Sequence, residues 1–95
     1  MTDLYLVVSI GNSDDKLKQS EWSDFCREMD NLMGRCGKIH FMSGSPNWFP
    51  WQNVAWIVKL LSPATMATAS NDIAKIREKY KQESAFVMYG TGNFL

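Results

Sequence analysis

The sequence is poor in the residues that build metal and redox sites. Its 95 residues include only two cysteines, Cys26 and Cys36, and a single histidine, His40. A zinc site needs about four ligands at close spacing, and neither cysteine belongs to a CxxC pair. We therefore expect two reduced thiols, no bound metal and no cofactor.

The sequence also lacks an excess of charge of either sign, because ten basic residues balance ten acidic ones. A domain that is held on nucleic acid by bulk electrostatics carries a positive excess. In addition, the segment around Trp56 lacks the basic-glycine-aromatic motif of RNA-recognition domains. Nucleic-acid binding is therefore a less favoured alternative.

Long apolar runs are missing as well. No segment reaches the roughly 18–20 apolar residues that a membrane span requires. The first residues, Met1-Thr2-Asp3, do not have the basic start of a signal peptide. We therefore expect a cytoplasmic protein with no membrane partner, and the length favours one domain over residues 1–95.

Four segments have the residue pattern of β-strands. The segments are Leu4–Ile10, Lys38–Ser43, about Trp51–Leu61 and Ala85–Tyr89. The first and third are apolar on both faces, which is typical of central strands. In the second, alternation places Ile39 and Phe41 on one face, and His40 and Met42 on the other. Residues 90–95 are predicted as a tail.

Two segments have helical periodicity. The first carries apolar residues at the i, i+3, i+4, i+7 spacing, namely Trp22, Phe25, Cys26, Met29, Leu32 and Met33. Ser20 is its predicted N-cap, and Gly34 or Gly37 is predicted to end it in the left-handed conformation. The second regular helix is predicted at about Ser70–Gln82, after a lead-in from Pro63. Its predicted buried stripe is Met66, Ala69, Ile73, Ile76 and Tyr80.

The resulting order is strand, helix, strand, strand, helix, strand. This βαββαβ order is that of the split βαβ, ferredoxin-like fold of the α+β class. Such a fold has a four-stranded antiparallel sheet with two helices on one face. Right-handed crossovers then place the first and third strands in the centre, in agreement with their apolar pattern.

Two helices leave the other face of this sheet open. It would carry mostly apolar residues, among them Tyr5, Val7, Ala55, Ile57, Phe86 and Met88. A contiguous apolar patch of this kind indicates an interface. We predict that a second copy of the chain covers it as a homodimer, the commonest oligomer. In the alternative, the loop around Trp48 or the C-terminal tail folds over this face.

The loop at residues 45–53 concentrates aromatic residues and prolines. Exposed aromatic side chains dominate the energetics of protein interfaces. The loop is therefore predicted to bind a protein partner, although a local hydrophobic cluster is the alternative. Together with the open sheet face, the candidate partner-binding residues are Trp48, Phe49, Trp51, Tyr5, Val7 and Ile57.

No catalytic residue is predicted. Asp14 and Asp15 would need further carboxylates to hold a metal ion, and none is close in sequence, so a solvated turn and helix cap is favoured. His40 has no acid or nucleophile beside it in the sequence. A small enzyme or ligand-binding domain remains the alternative, with a pocket between the sheet and the loop at residues 48–51, lined by Trp51 and Trp56.

Three segments resemble a group of small uncharacterised proteins of actinobacteria and their phages and mobile elements. The segments are residues 10–17 (IGNSDDKL) followed by Glu21-Trp22, residues 50–56 (PWQNVAW) and the terminal Phe94-Leu95. The resemblance spans nearly the whole chain and implies no activity and no catalytic residue. It favours an accessory protein of a phage or mobile element. Because the sequence contains no acid–base pair, metal cluster or nucleophile motif, we favour a non-catalytic interaction module that acts on a protein partner such as a host protein.

Overall fold

Strands and helices follow one another in the predicted order. The computed structural model describes residues 3–45 and 52–95. The elements are β1 (Asp3–Gly11), α1 (Gln19–Cys36), β2 (Gly37–Gly44), β3 (Asn53–Leu60), α2 (Thr65–Lys79) and β4 (Phe86–Gly92). A short 3-10 turn at Ser13–Asp15 separates β1 from α1.

The four strands form one antiparallel sheet in the order β2-β3-β1-β4. Both helices share a single core cluster with one face of this sheet. This arrangement confirms the predicted ferredoxin-like fold of the α+β class. The two strands that are apolar on both faces, β1 and β3, are the central strands of the sheet, as predicted.

The core lies between the helices and the covered face of the sheet. Its largest member is Trp56, whose side chain is fully buried and whose indole N–H donates a hydrogen bond to Asp30 at 2.9 Å. Phe25 of α1 stacks on Tyr80, with ring centroids 4.9 Å apart. Trp56 therefore belongs to the core, whereas the loop at residues 48–51, under which the alternative pocket was predicted, lies outside the described residues.

Helix α1 begins two residues before its predicted start and ends as predicted. The backbone N–H of Lys18 donates to Glu21 Oε1 at 2.9 Å, so Lys18 takes the N-cap position that the sequence assigned to Ser20. The helix ends before Gly37, but this glycine has extended rather than left-handed backbone (φ 167°). Glycine is required there because a Cβ atom would overlap the carbonyl oxygen of Lys59.

Helix α2 begins at Thr65, five residues before the predicted regular start at Ser70. Met66 and Ala69 both pack against the core, so the helical period extends toward the N-terminus past Ser70. The helix ends at Lys79, because Lys81 adopts the left-handed conformation (φ 57°) that breaks helical continuity. Within residues 3–45 and 52–95, no helix has the length and apolar character needed to cross a membrane.

Two predictions about the edge strands are wrong. The pairing register of β2 with β3 shifts between Ile39 and Phe41, which is a β-bulge at His40. The bulge places Phe41 opposite Ile57 on the open face, whereas Ile39 faces the core. The predicted tail is also shorter than expected, because residues 90–92 pair with residues 3–5 of β1 and extend β4.

Candidate functional site

The open face is the face of the sheet that the helices leave uncovered. Directly paired residues of neighbouring strands point to the same side of a sheet, so the register arranges this face in three rows across all four strands. The lysine row is Lys38, Lys59, Tyr5 and Gly90; the apolar row is Phe41, Ile57, Val7 and Met88; the serine row is Ser43, Ala55, Ser9 and Phe86.

The apolar row is exposed to solvent and carries no charge. Three of its four side chains retain large exposed fractions, at 49% for Phe41, 36% for Ile57 and 52% for Met88. Phe86 in the neighbouring serine row is 58% exposed. A continuous exposed strip of large apolar side chains is characteristic of an interaction site.

An aromatic trio of Tyr5, His40 and Phe94 lies at one end of the open face. The ring centroids are 5.8 Å apart for Tyr5 and His40, and 5.2 Å apart for His40 and Phe94. The bulge in β2 turns His40 toward this face, and residues after β4 fold back to bring Phe94 over the lysine row. The C-terminal residues thus cover part of the lysine row and leave the apolar row exposed.

A groove of about 260 Å³ lies between the C-terminal residues and the sheet. Its floor is apolar, and its wall is the end of β4 with the residues that follow. The lining residues are Tyr5, Val7, Ile57, Met88, Gly90, Thr91, Gly92, Asn93 and Phe94. The groove therefore combines residues from three strands with a wall that the sequence predicted to be a loose tail.

A second, polar cleft of about 470 Å³ lies at the opposite end of the sheet, beside the turn after β1. Asp14, Asp15 and Glu83 contribute carboxylates to its lining. Within residues 3–45 and 52–95, no three His, Cys, Asp or Glu side chains are grouped so that they could hold a metal ion. The two aspartates have left-handed backbone (φ 54° and 52°) and exposed side chains, as in a solvated turn.

The turn after β1 is organised by Asn12, which the sequence did not single out. Its side chain is 2% exposed, donates to the carbonyl of Leu17 at 3.0 Å and accepts the N–H of Leu17 at 2.9 Å. It also donates to Gln52 Oε1 at 3.0 Å. Every hydrogen-bonding atom of this amide is satisfied, so Asn12 is a structural clamp rather than a ligand-binding group.

A polar contact joins the two helices on the other side of the molecule. The Tyr80 hydroxyl donates a hydrogen bond to Glu28, which also pairs with Lys79 Nζ at 2.9 Å. Burial and this hydrogen bond raise the pKa of Tyr80 to about 12. The hydrogen bonds from Tyr80 and Lys79 lower the pKa of Glu28. The contact stabilises the packing of α1 on α2.

Both thiols are held in their protonated form. Burial raises the pKa of Cys26 to about 11 and also raises the pKa of Cys36. The two cysteines are free rather than disulfide-bonded. Thiols with raised pKa values are poor nucleophiles, so they act here as small apolar side chains of α1.

The structure brings together three of the six predicted partner-binding residues. Tyr5, Val7 and Ile57 share the open face, and their role in binding stays a prediction. Trp48, Phe49 and Trp51 lie outside the residues that the structure describes. Sequence reasoning missed Phe41 and His40 as members of this face, because no signal in residues 38–43 marks the bulge.

No protein-family model and no curated protein matches the sequence. Several solved structures share the fold. A hydroxynitrile lyase from Passiflora edulis superimposes with a TM-score of 0.62 at 12% identity, over 96% of this chain and 94% of that one. A dimeric ferredoxin-like protein from an uncultured marine organism gives 0.55 at 13% identity, over 100% and 93% of the two chains.

An uncharacterised protein of Thermotoga maritima gives a TM-score of 0.52 at 12% identity, over 96% of this chain and 98% of that one. These proteins match the chain over nearly its whole length and theirs. Identities this low establish similarity of fold and do not transfer an activity. The chain therefore has the ferredoxin-like fold.

Proposed function

We propose that the protein is a non-catalytic interaction module whose open face binds a second copy of the chain. The exposed apolar row carries this proposal, because it is a strip of large apolar side chains without a charged member. Burial of such a strip removes apolar surface from water at little desolvation cost. A host protein as a further partner stays a prediction.

The size of the open face supports a partner of protein dimensions. Four strands of seven to nine residues form it. With roughly 4.8 Å between strands and about 3.3 Å per residue, such a face has a flat area of roughly 500 Å². Because side chains make the surface uneven, its accessible area is larger than this flat area. The accessible area is then close to the roughly 600 Å² per partner that the smallest specific interfaces bury.

The distribution of charge on the open face favours a second copy over an unrelated protein. Around a twofold axis through the apolar row, this row packs against itself without burying an unpaired charge. Lys38 and Lys59 lie to one side, in the lysine row. One solved structure with a similar fold is described as a dimeric ferredoxin-like protein, which supports an assembly of this kind.

Light scattering coupled to size-exclusion chromatography tests the proposal. At micromolar concentration, we expect the wild-type chain to have twice the mass of one chain. Ile57→Asp places a charge in the middle of the apolar row and should give single chains. Met42→Asp is the matched control, because Met42 is 48% exposed but is paired with Trp56 and so lies on the other face of the sheet.

The Met42→Asp variant should retain the mass of the wild type. A wild-type mass of one chain at micromolar concentration would overturn the proposal. So would an Ile57→Asp variant that stays dimeric, because a buried unpaired aspartate at the centre of an interface costs several kcal/mol.

A further inference from the structure

Strand β4 lies at one edge of the sheet, where only β1 pairs with it. In an antiparallel pair, alternate residues turn their N–H and C=O groups to the neighbouring strand, so the remaining residues of β4 turn theirs outward. Within residues 3–45 and 52–95, no backbone hydrogen bond from outside the sheet reaches residues 86–92. Outward backbone groups of this kind are a template for a further strand.

The free edge of β4 lacks the features that usually prevent pairing between molecules. Its seven residues, FVMYGTG, include no charged residue and no proline, and its register with β1 has no bulge. The other edge strand, β2, has a lysine, Lys38, and the bulge at His40. Natural sheets use lysines and bulges to block edge-to-edge pairing. Of the two edges, the β4 edge is therefore the one suited to pairing.

The sequence of β4 is complementary to itself when two copies run antiparallel. With Tyr89 opposite Tyr89 of the second copy, all seven residues of each strand are paired. On the open face, Phe86 then lies opposite Gly92 of the second copy. In the same way, Met88 lies opposite Gly90 of the second copy. Each of these pairs joins a large exposed side chain to a glycine, and large cross-strand neighbours are known to cover strand glycines.

The fold of a single chain requires neither glycine of β4. No glycine in the described part of the chain has a left-handed φ. A Cβ atom at Gly90 would meet no other atom within 4 Å, and one at Gly92 would make an ordinary contact of 3.8 Å with the ring of Tyr5. A glycine inside a strand weakens it and often marks the close approach of another backbone. A strand beyond the free edge accounts for both glycines.

On the covered face, the same register pairs residues that favour strands. Val87 lies opposite Thr91 of the second copy, and the two Tyr89 side chains lie next to each other. Cross-strand pairs of β-branched and aromatic residues stabilise sheets. Val87 and Tyr89 are only partly buried and Thr91 is exposed, so the described part of the chain leaves this side of the edge accessible.

We propose that the free edge of β4 pairs antiparallel with β4 of a second copy, about a twofold axis at Tyr89. The two four-stranded sheets then form one continuous sheet of eight strands. This contact does not rest on the proposed open-face dimer. The axis at the edge is perpendicular to the sheet, whereas the axis of the open-face dimer is parallel to it. Because the edge lies at the side of the sheet, both contacts together join four chains.

The edge contact is weaker than the open-face contact. It joins two strands of seven residues and buries far less than the roughly 1,200 Å² of total surface that stable interfaces bury. We therefore expect association through the edge between submillimolar and millimolar chain concentration, above the micromolar range in which the open face associates.

Sedimentation equilibrium of the full-length Ile57→Asp variant tests the edge contact in the absence of the open-face contact, because Ile57 lies in the apolar row of β3. We expect single chains at micromolar concentration and pairs of chains at millimolar concentration. The wild type should pass from two chains to four. An Ile57→Asp variant that stays a single chain at millimolar concentration would overturn the edge contact. A wild type that is a single chain at micromolar concentration overturns the open-face dimer alone.

Amide hydrogen exchange of the Ile57→Asp variant identifies the strand that pairs. The amides of β4 that bond to β1 should be protected at both concentrations. The alternate amides of residues 86–92, on the free edge, should exchange severalfold more slowly at millimolar concentration than at micromolar concentration. Association without this added protection in β4 would show that another surface is responsible and would overturn the proposal.

Thr91→Lys, added to Ile57→Asp, blocks the edge. The lysine would lie beside Val87 of the second copy, where pairing removes water from its charge, so association should require about tenfold more protein. Met42→Lys in the same background is the matched control, because Met42 is also an exposed residue on the covered face of an edge strand, β2. It should leave association unchanged. Equal effects of the two lysines, or no effect of Thr91→Lys, would overturn the assignment to β4.

Discussion

Both faces of the sheet carry apolar residues, but only one face is buried. In β1, Leu6 and Val8 are fully buried under the helices, whereas Val7 between them is only partly buried. In β3, Trp56 has no exposed surface and its neighbour Ile57 is 36% exposed. The difference comes from the helices, since two helices can cover only one face. A strand that is apolar on both sides therefore has one side buried by the helices, and its other side stays exposed unless a partner covers it.

The faces also differ in how they treat polar groups. On the covered face, the polar groups of the large side chains are paired: the Trp56 indole donates to Asp30 and the Tyr89 hydroxyl donates to the carbonyl of Met66. On the open face, the lysine row and the serine row lie on either side of the apolar row, and their polar side chains are partly or fully exposed. A face with unpaired polar groups beside apolar surface is suited to binding, and a face with every polar group paired is suited to stability.

The largest expected effect is a loss of folding stability when a side chain of the covered face is removed. Trp56→Ala removes the largest buried side chain and leaves a cavity, which should lower the free energy of unfolding by about 3–5 kcal/mol. Urea denaturation followed by circular dichroism measures this loss. Asp30→Ala, which removes only the partner of the indole, should cost about 1–2 kcal/mol. If Trp56→Ala lowered the free energy of unfolding by less than Asp30→Ala, the assignment of the core would be contradicted.

The next largest loss of stability is expected at the turn after β1. Asn12→Ala leaves the backbone groups of Leu17 without their partner in a buried site, and we expect a loss of about 1–3 kcal/mol in the free energy of unfolding. Asn31→Ala is the control, because Asn31 is an exposed residue of α1 and should change stability by less than about 0.5 kcal/mol. Equal effects of the two variants would show that the clamp at Asn12 does not matter.

On the open face, the expected effect depends on protein concentration. Met88→Ala should leave the stability of a single chain nearly unchanged, because the Met88 side chain is 52% exposed. If the second copy covers this face, the variant weakens association, so the midpoint of unfolding should rise less steeply with concentration than in the wild type. Thermal unfolding over a hundredfold concentration range measures this. A wild-type midpoint independent of concentration would count against the second copy.

The smallest effect lies away from both faces, in the contact of Tyr80 with Glu28. The lowered pKa of Glu28 stabilises the fold above its usual value of 4.5, and this contribution is lost as the pH falls through the folded-state pKa. The raised pKa of Tyr80 stabilises the fold below its usual value of 10.0, and this contribution is lost as the pH rises through about 12.

Tyr80→Phe should therefore cost about 1 kcal/mol at neutral pH and progressively less below pH 4.5 and above pH 10. Tyr89→Phe is the matched control. The Tyr89 hydroxyl donates to the carbonyl of Met66 at 2.9 Å and has no hydrogen bond to a carboxylate of the described residues, so its loss should not depend on pH in the acid range. Chemical denaturation of the wild type and both variants between about pH 3 and pH 11 measures the difference; parallel profiles of the two variants in the acid range would contradict the coupling to Glu28.

The sequence predicts the fold because hydrophobic periodicity reports element type and burial directly. The apolar stripe of α1, with Phe25 and Met29, and the two-sided strands β1 and β3 were sufficient for the order and the topology. The sequence does not predict the side-chain directions where one residue interrupts the strand alternation. The bulge at His40 moves Phe41 to the open face, and strand alternation alone cannot indicate it.

Long-range contacts limited the prediction of the site. Asn12 resembled an ordinary turn residue, because its partner Gln52 is 40 positions away in the sequence. Residues 90–92, which the sequence predicts to be part of a tail, instead pair with β1 and extend β4. They form part of the wall of the groove.

Isotope-filtered NMR on a mixture of labelled and unlabelled chains tests most directly whether a second copy covers the open face. The account predicts intermolecular nuclear Overhauser effects between side chains of the apolar row, with Ile57 and Met88 among them. Intermolecular signals confined to helix residues, or none at concentrations where the wild type is dimeric by mass, would contradict it.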